Sequence, residues 1–123
     1  MSADPVPILD VGALDRLESW AGADLRVKMV DLFFKNGPER VQEIQDGLAK
    51  GEFELELAER SAHSLKSSAA NLGGEAVRQL AARIEGSLEK GDSSAAADLV
   101  PELEARFAQM LDALRKSENR EDG

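Results

Sequence analysis

Cysteine is absent from this chain of 123 residues, which excludes disulfide bonds and thiolate metal sites. Tyrosine is also absent, and a single histidine leaves no second imidazole to share a metal ion, so we predict no metal site. Long apolar runs are missing too: the run "MVDLFF" contains Asp31, so no membrane span is predicted. The first residues lack a basic segment followed by an apolar one, so we expect no signal peptide and a cytoplasmic location.

Basic residues are in the minority. The chain has 15 Lys and Arg against 24 Asp and Glu, which gives a formal net charge of −9. The cations are scattered along the sequence, and an acidic chain repels phosphate backbones and anionic lipid surfaces. We therefore expect neither nucleic-acid nor membrane partners.

Leucine and alanine dominate the apolar positions, which is typical of helical bundles. Apolar periodicity predicts five helices, at about 11–20, 24–50, 53–72, 75–90 and 94–116. Because the connections are short, sequential helices should be antiparallel. The expected fold is all-α, an up-down four-helix bundle with a short additional N-terminal helix. We expect one domain over 1–123, ordered over about 8–116, with a flexible tail over about 117–123.

The segment "KNGPER" resembles a break in the second helix. Its apolar stripe nevertheless stays in phase if Gly37 fills one position, so we predict a single helix kinked at Pro38 and ended by Gly51. Polar caps are predicted at the starts of the first, second and fifth helices, from Asp10, from Asp24, and from Asp92 or Ser93.

The third helix has the clearest pattern. Its stripe recurs at steps of three and four through Leu55, Ala58, Ala62, Leu65, Ala69 and Leu72. Gly73 should end the helix, because glycine readily takes the left-handed conformation. His63 then lies roughly 130° from the centre of the stripe, at about 100° per residue, and should face solvent.

The surroundings of His63 are unusual for so charged a chain. Lys66 lies one turn after it, and the positions off the stripe that follow His63 as far as Ala70 are otherwise small: Ser64, Ser67, Ser68 and Ala70. An imidazole is a nucleophile with a large neutral fraction near neutral pH, and an ammonium group neutralises part of the charge on a phosphoryl group. The pattern favours phosphoryl transfer between proteins; an ordinary polar surface histidine is the alternative.

The segment "HSLKSSAANLGG" resembles the motif HxLKGSSxxLGA of histidine-containing phosphotransfer (HPt) domains of bacterial two-component phosphorelays. The matching positions are His63, Leu65, Lys66, Ser68, Leu72 and Gly73. The segments "ILDVGALDRL" and "LFFKNGPERVQEIQDGLAKGEF" are similar to the family's first two helices, so the resemblance covers about 8–116.

This resemblance implies a phosphoryl carrier rather than an autonomous ATP-dependent kinase. His63 would accept a phosphoryl group from a receiver-domain aspartate and pass it to another. The implied partners are response-regulator receiver domains and a hybrid histidine kinase. No cofactor would be bound by this chain, because Mg²⁺ sits in the receiver, and we expect a monomer. A non-catalytic adaptor that binds or sequesters receivers is the alternative.

Two departures from the family bear on the site. Ser67 replaces a usual glycine and narrows the approach to the imidazole. Glu85 stands where the family often has glutamine; counted from the turn at Gly73, it should lie level with His63 on the next helix. We expect Glu85 to accept the Nδ1 proton of His63, with an ordinary solvated glutamate as the alternative.

Docking of a receiver needs an apolar patch near the histidine. Ile8, Leu9 and Val11 are the candidates, with Ser64 and Ala70 beside the ring. The three apolar residues equally suit core contacts at the end of the bundle.

Overall fold

Five α-helices make up the part of the chain that the structure, a computed structural model, describes: residues 6–49 and 54–120. They are α1 (Val11–Ala21), α2 (Ala23–Ala49), α3 (Leu55–Leu72), α4 (Glu75–Glu89) and α5 (Ser93–Ser117). The helix α3 packs between α2 and α4, α5 packs against α4 and α2, and α1 contacts α2 and α3. The predicted all-α bundle with an extra N-terminal helix is confirmed.

Two of the predicted caps are present. The Asp10 side chain accepts a hydrogen bond from the Gly12 amide at 3.0 Å, and the Asp92 side chain accepts one from the Ala95 amide at 3.0 Å. Each bond satisfies an amide that the first helical turn leaves unpaired. The predicted end of α2 at Gly51 lies outside the described residues.

The helix α2 continues through Pro38, as its stripe predicted. Gly37 is buried in that stripe, and a Cβ at this position would lie 2.8 Å from the Phe107 ring. The Phe107 ring of α5 occupies the space that a side chain at position 37 would need. A glycine therefore fills this position of the apolar stripe. The prediction that Asp24 caps α2 is wrong: α2 begins at Ala23, so Asp24 lies inside its first turn.

The predicted apolar stripes form the core. In α3, five of the six predicted residues are buried, and Leu55 is half-buried. In α4, Val77, Leu80, Ala81, Ile84 and Leu88 are buried at helical spacing. In α5 the core takes Met110, while Leu111 is half-buried. The three alanines in the stripe of α3 allow neighbouring helices to approach closely, which brings side chains on their flanks within reach of each other.

A two-glycine turn joins α3 to α4. Gly73 has φ +84°, and the Gly74 amide donates to the Ala69 carbonyl at 2.8 Å, which closes the end of α3. The Gly73 carbonyl also accepts from the Asp10 amide at 2.8 Å. A turn this short fixes how far along α4 each residue lies relative to α3.

The end of α5 is tied to α2. The Arg26 guanidinium donates two hydrogen bonds to the Glu118 carboxylate, each 3.0 Å, and one to Asp15 at 3.0 Å. The bond to Glu118 raises the pKa of Arg26, against the opposing effect of burial. Arg120 pairs with Asp31 at 2.6 Å. Residues 118 and 120, which we expected within a flexible tail, therefore make specific contacts with α2.

Candidate functional site

The His63 imidazole lies midway along α3, on the face opposite the core stripe. Its side chain is 61% exposed, whereas Ala62 and Leu65 beside it are fully buried. The stripe of α3 is thus what points the imidazole outward, since its apolar positions hold the helix in one rotational phase. An approaching protein has direct access to the ring.

Glu85 of α4 joins the two polar residues of α3. Its carboxylate oxygen Oε2 lies 2.6 Å from His63 Nδ1, and its Oε1 accepts a hydrogen bond from Lys66 Nζ at 2.6 Å. Only 8% of Glu85 is exposed, which excludes the alternative of a solvated glutamate. The predicted level placement of Glu85 and His63 on neighbouring helices agrees with this geometry.

The ionisation of Glu85 follows from its partners. Burial raises the pKa of the Glu85 carboxyl, but hydrogen bonds from Lys66 and His63 outweigh burial and leave the pKa below its ordinary value. An ionised carboxylate only accepts hydrogen bonds, so the proton between the two groups belongs to Nδ1. A neutral ring in this tautomer keeps its lone pair on Nε2.

The flanks of the imidazole carry small side chains. Ser64, Ser67, Ser68 and Ala70 are all exposed. The Ser68 hydroxyl donates to the Ser64 carbonyl at 3.0 Å, so it is turned back onto its own helix. Short side chains of this kind leave the space beside Nε2 open to a second protein.

The other sequence-predicted residues lie away from the ring. Gly73 follows the last residue of α3, ten residues after His63 and about 15 Å away at 1.5 Å per residue. Its contribution to the site is the turn that sets the position of α4. Ile8 and Leu9 are half-buried against the core at that same end, where the neighbouring Asp10 amide bonds to Gly73. Val11 is 47% exposed. The structure therefore does not bring Ile8, Leu9 or Val11 beside His63.

Sequence reasoning missed a groove between α2 and α3 that reaches Ser64, the residue after the histidine. We call it the α2–α3 groove; its wall includes Met29, Leu32, Asn36, Arg40, Ser64 and Ser68. Leu32 is 46% exposed and apolar. Periodicity identifies the buried stripe of α2, and Leu32 lies outside that stripe. A leucine at a position predicted to face solvent was the one feature of the sequence that could have indicated this groove.

The described residues hold neither a cluster of metal ligands nor a membrane-spanning helix. These contain no group of three or more histidine, cysteine, aspartate or glutamate residues arranged to hold a metal ion. None of the described helices is both long enough and apolar enough to cross a membrane.

The chain resembles known proteins in sequence and in fold. The family model of the Hpt domain matches residues 28–117. The crystal structure of histidine-containing phosphotransfer protein B (HptB) from Pseudomonas aeruginosa PAO1 superposes with a TM-score of 0.83 at 23% sequence identity, covering 96% of this chain and 100% of that one. No curated protein sequence matched the chain.

Proposed function

Because the chain belongs to the Hpt domain family, whose function is histidine phosphotransfer in phosphorelays, we propose that His63 is its phosphoryl acceptor. One observation supports this assignment above the others: the only histidine of the whole sequence has an exposed ring whose Nδ1 bonds a buried carboxylate. The test is phosphoryl transfer from a phosphorylated receiver domain to the native chain and to a His63→Gln variant.

The transfer step follows from the tautomer. The Nε2 lone pair attacks the phosphorus of a receiver aspartyl phosphate in line with the carboxylate that leaves. The P–Nε2 bond forms, the P–O bond breaks, and the receiver keeps the electron pair as aspartate. Nδ1 retains its proton throughout, held by Glu85 at 2.6 Å. Transfer onward is the reverse of this step, toward a second receiver.

Lys66 is proposed to stabilise the phosphoryl group. The Lys66 side chain is 31% exposed, and its ammonium is held by Glu85 on the same side of α3 as the ring. Its positive charge stabilises the phosphoryl oxygens that accumulate negative charge during transfer. We expect Lys66→Ala to slow transfer about tenfold, the order expected for one partly exposed charge. Single-turnover transfer from a labelled receiver measures this rate, with Lys90→Ala, an exposed lysine at the end of α4, as the control. Equal rates for both variants would remove the role of Lys66.

The receiver is proposed to dock on the α2–α3 groove. The groove joins an exposed leucine to Ser64 and Ser68 of α3, so a partner seated there would contact the residue that follows His63. We expect Leu32→Glu to raise the KM for a phosphorylated receiver about tenfold, because a charge is placed in an apolar contact. Transfer at saturating receiver should change little.

A matched control exists on the same helix. Val27 is 50% exposed but lies beside Arg26 and Glu118, outside the α2–α3 groove. Val27→Glu should leave the KM unchanged. A raised KM for Val27→Glu, with none for Leu32→Glu, would move the docking surface toward α1.

We also propose that the chain works as a monomeric carrier that does not itself use ATP, in the cytoplasm, between receiver domains and a hybrid histidine kinase. The Mg²⁺ that transfer requires would come with the receiver. This part of the proposal is supported by the family resemblance and by the negative net charge, which disfavours nucleic acid as a partner.

A further inference from the structure

A phosphorylated His63 would carry charge that the free ring lacks. When Nε2 forms a bond to phosphorus while Nδ1 keeps its proton, the ring becomes a cation. The group facing Nδ1 is a buried carboxylate at 2.6 Å, so an anion already lies where the new positive charge appears. An amide at the same position would offer a hydrogen bond without the charge.

We propose that Glu85 keeps the Nδ1 proton on the phosphorylated ring, so that the phosphohistidine stays in its reactive protonated form up to a higher pH than an amide would allow. This inference rests on the proposed function of His63. Glu85 acts as a positioning residue, because it touches the ring and not the phosphoryl group.

The Nδ1 proton determines which form of the ring leaves when the phosphoryl group is transferred onward. With Nδ1 protonated, breaking the P–Nε2 bond returns a neutral imidazole that has its electron pair on Nε2. Without that proton, the same bond would have to release an imidazolate anion, which is a far poorer leaving group. A charge that stabilises the protonated ring therefore widens the pH range over which the phosphoryl group can move on.

Other charges near the pair act on the same equilibrium. On α3, Lys66 shares the Glu85 carboxylate and opposes its effect, while Glu59 and Arg60 lie about one turn from His63. On α4, Glu89 follows Glu85 by one turn. On α2, Arg40 and Glu43 bond each other, and Glu43 also accepts a hydrogen bond from the Ser61 hydroxyl of α3. From α5, Asp98 faces α4 beside Gly86. Within the described ranges, the side chains that bond Glu85 are those of His63 and Lys66.

The signs for two variants are opposite. Glu85→Gln removes the anion, disfavours the protonated ring and should lower the titration midpoint of phosphorylated His63 by about one pH unit. Lys66→Met removes a cation from the same carboxylate and should raise the midpoint. If Glu85 and Lys66 served only to hold the helices together, their substitution would not be expected to shift the titration midpoint in opposite directions.

The measurement uses the single histidine of the chain. The protein is labelled with ¹⁵N-histidine, phosphorylated chemically with phosphoramidate, and titrated while the two ring nitrogens are followed by NMR. Only one histidine contributes signals, so the assignment is direct. The rate of ³²P transfer to a receiver, measured across the same pH range, should fall off at a lower pH for Glu85→Gln than for the native chain.

An unchanged midpoint in Glu85→Gln overturns the inference, even if receivers exchange phosphoryl groups with His63. If Glu85→Gln does not fold, Lys66→Met decides, and a midpoint that stays or falls overturns the inference. Chemical phosphorylation does not need a receiver, so a failure of receiver transfer counts against the proposed function alone.

Discussion

Replacing His63 with glutamine is expected to abolish phosphoryl uptake from a receiver domain. Glutamine keeps much of the size and polarity of histidine, but its amide nitrogen is not a nucleophile, and the chain has no second histidine. We expect a loss of at least about a thousandfold, to the background of the assay. Uptake is measured as ³²P transferred from a labelled receiver, with helicity and melting followed by circular dichroism.

The same experiment separates a lost nucleophile from a damaged fold. The His63 ring is exposed, so the variant should melt close to the native temperature. Glu56→Gln, also exposed and two turns earlier on the same face of α3, is the matched control and should retain full uptake. Uptake that survives in His63→Gln would assign the acceptor to another residue. A native chain that binds receivers without taking up phosphate would instead act as an adaptor.

Gly73→Val is expected to cause the largest loss of stability. Gly73 has φ +84°, a conformation that a β-branched residue adopts at high cost, and a Cβ there would lie 2.5 Å from the Asp10 carbonyl oxygen. Strain and clash together should lower the free energy of unfolding by about 3 kcal/mol. The melting temperature should fall by roughly 10 °C.

A second glycine provides the control for this prediction. Gly86 lies within α4, and a Cβ added there meets nothing within 4 Å. Gly86→Ala should therefore be neutral, or stabilising by about 0.5–1 kcal/mol through helix propensity. If Gly73→Val melted like Gly86→Ala, the left-handed turn between α3 and α4 would not be holding the register that brings Glu85 level with His63.

Much of the fold follows from local sequence. The stripe of α3 and the glycines that follow it predicted where the helix ends and which way His63 points, because both are set by helical periodicity and by backbone conformation. The level of Glu85 on α4 followed from counting residues across a short turn. These predictions succeeded because each depends on residues close together in the chain.

Other features depend on contacts between distant segments. Periodicity could not decide which flank of α4 faces His63. That flank depends on how α3 and α4 are rotated about their axes when their apolar stripes pack. The apolar wall at Leu32 was missed for the same reason. Ile8 and Leu9 could be assigned either to a docking patch near the histidine or to the core at the end of the bundle, and they pack against the core at the Gly73 end. The hydrogen bonds from Arg26 to Glu118 join positions 92 residues apart, so no local sequence pattern predicts them.

The position of α3 between two neighbouring helices bears on how a signal would be stored. Because α3 packs on both sides and ends in a closed turn, moving its backbone would disrupt the core of the bundle. Phosphorylation would then leave the shape of the bundle nearly unchanged. The phosphorylated and free forms would then differ in the P–N bond and not in conformation. A receiver would distinguish them by accepting the phosphoryl group rather than by recognising an altered shape.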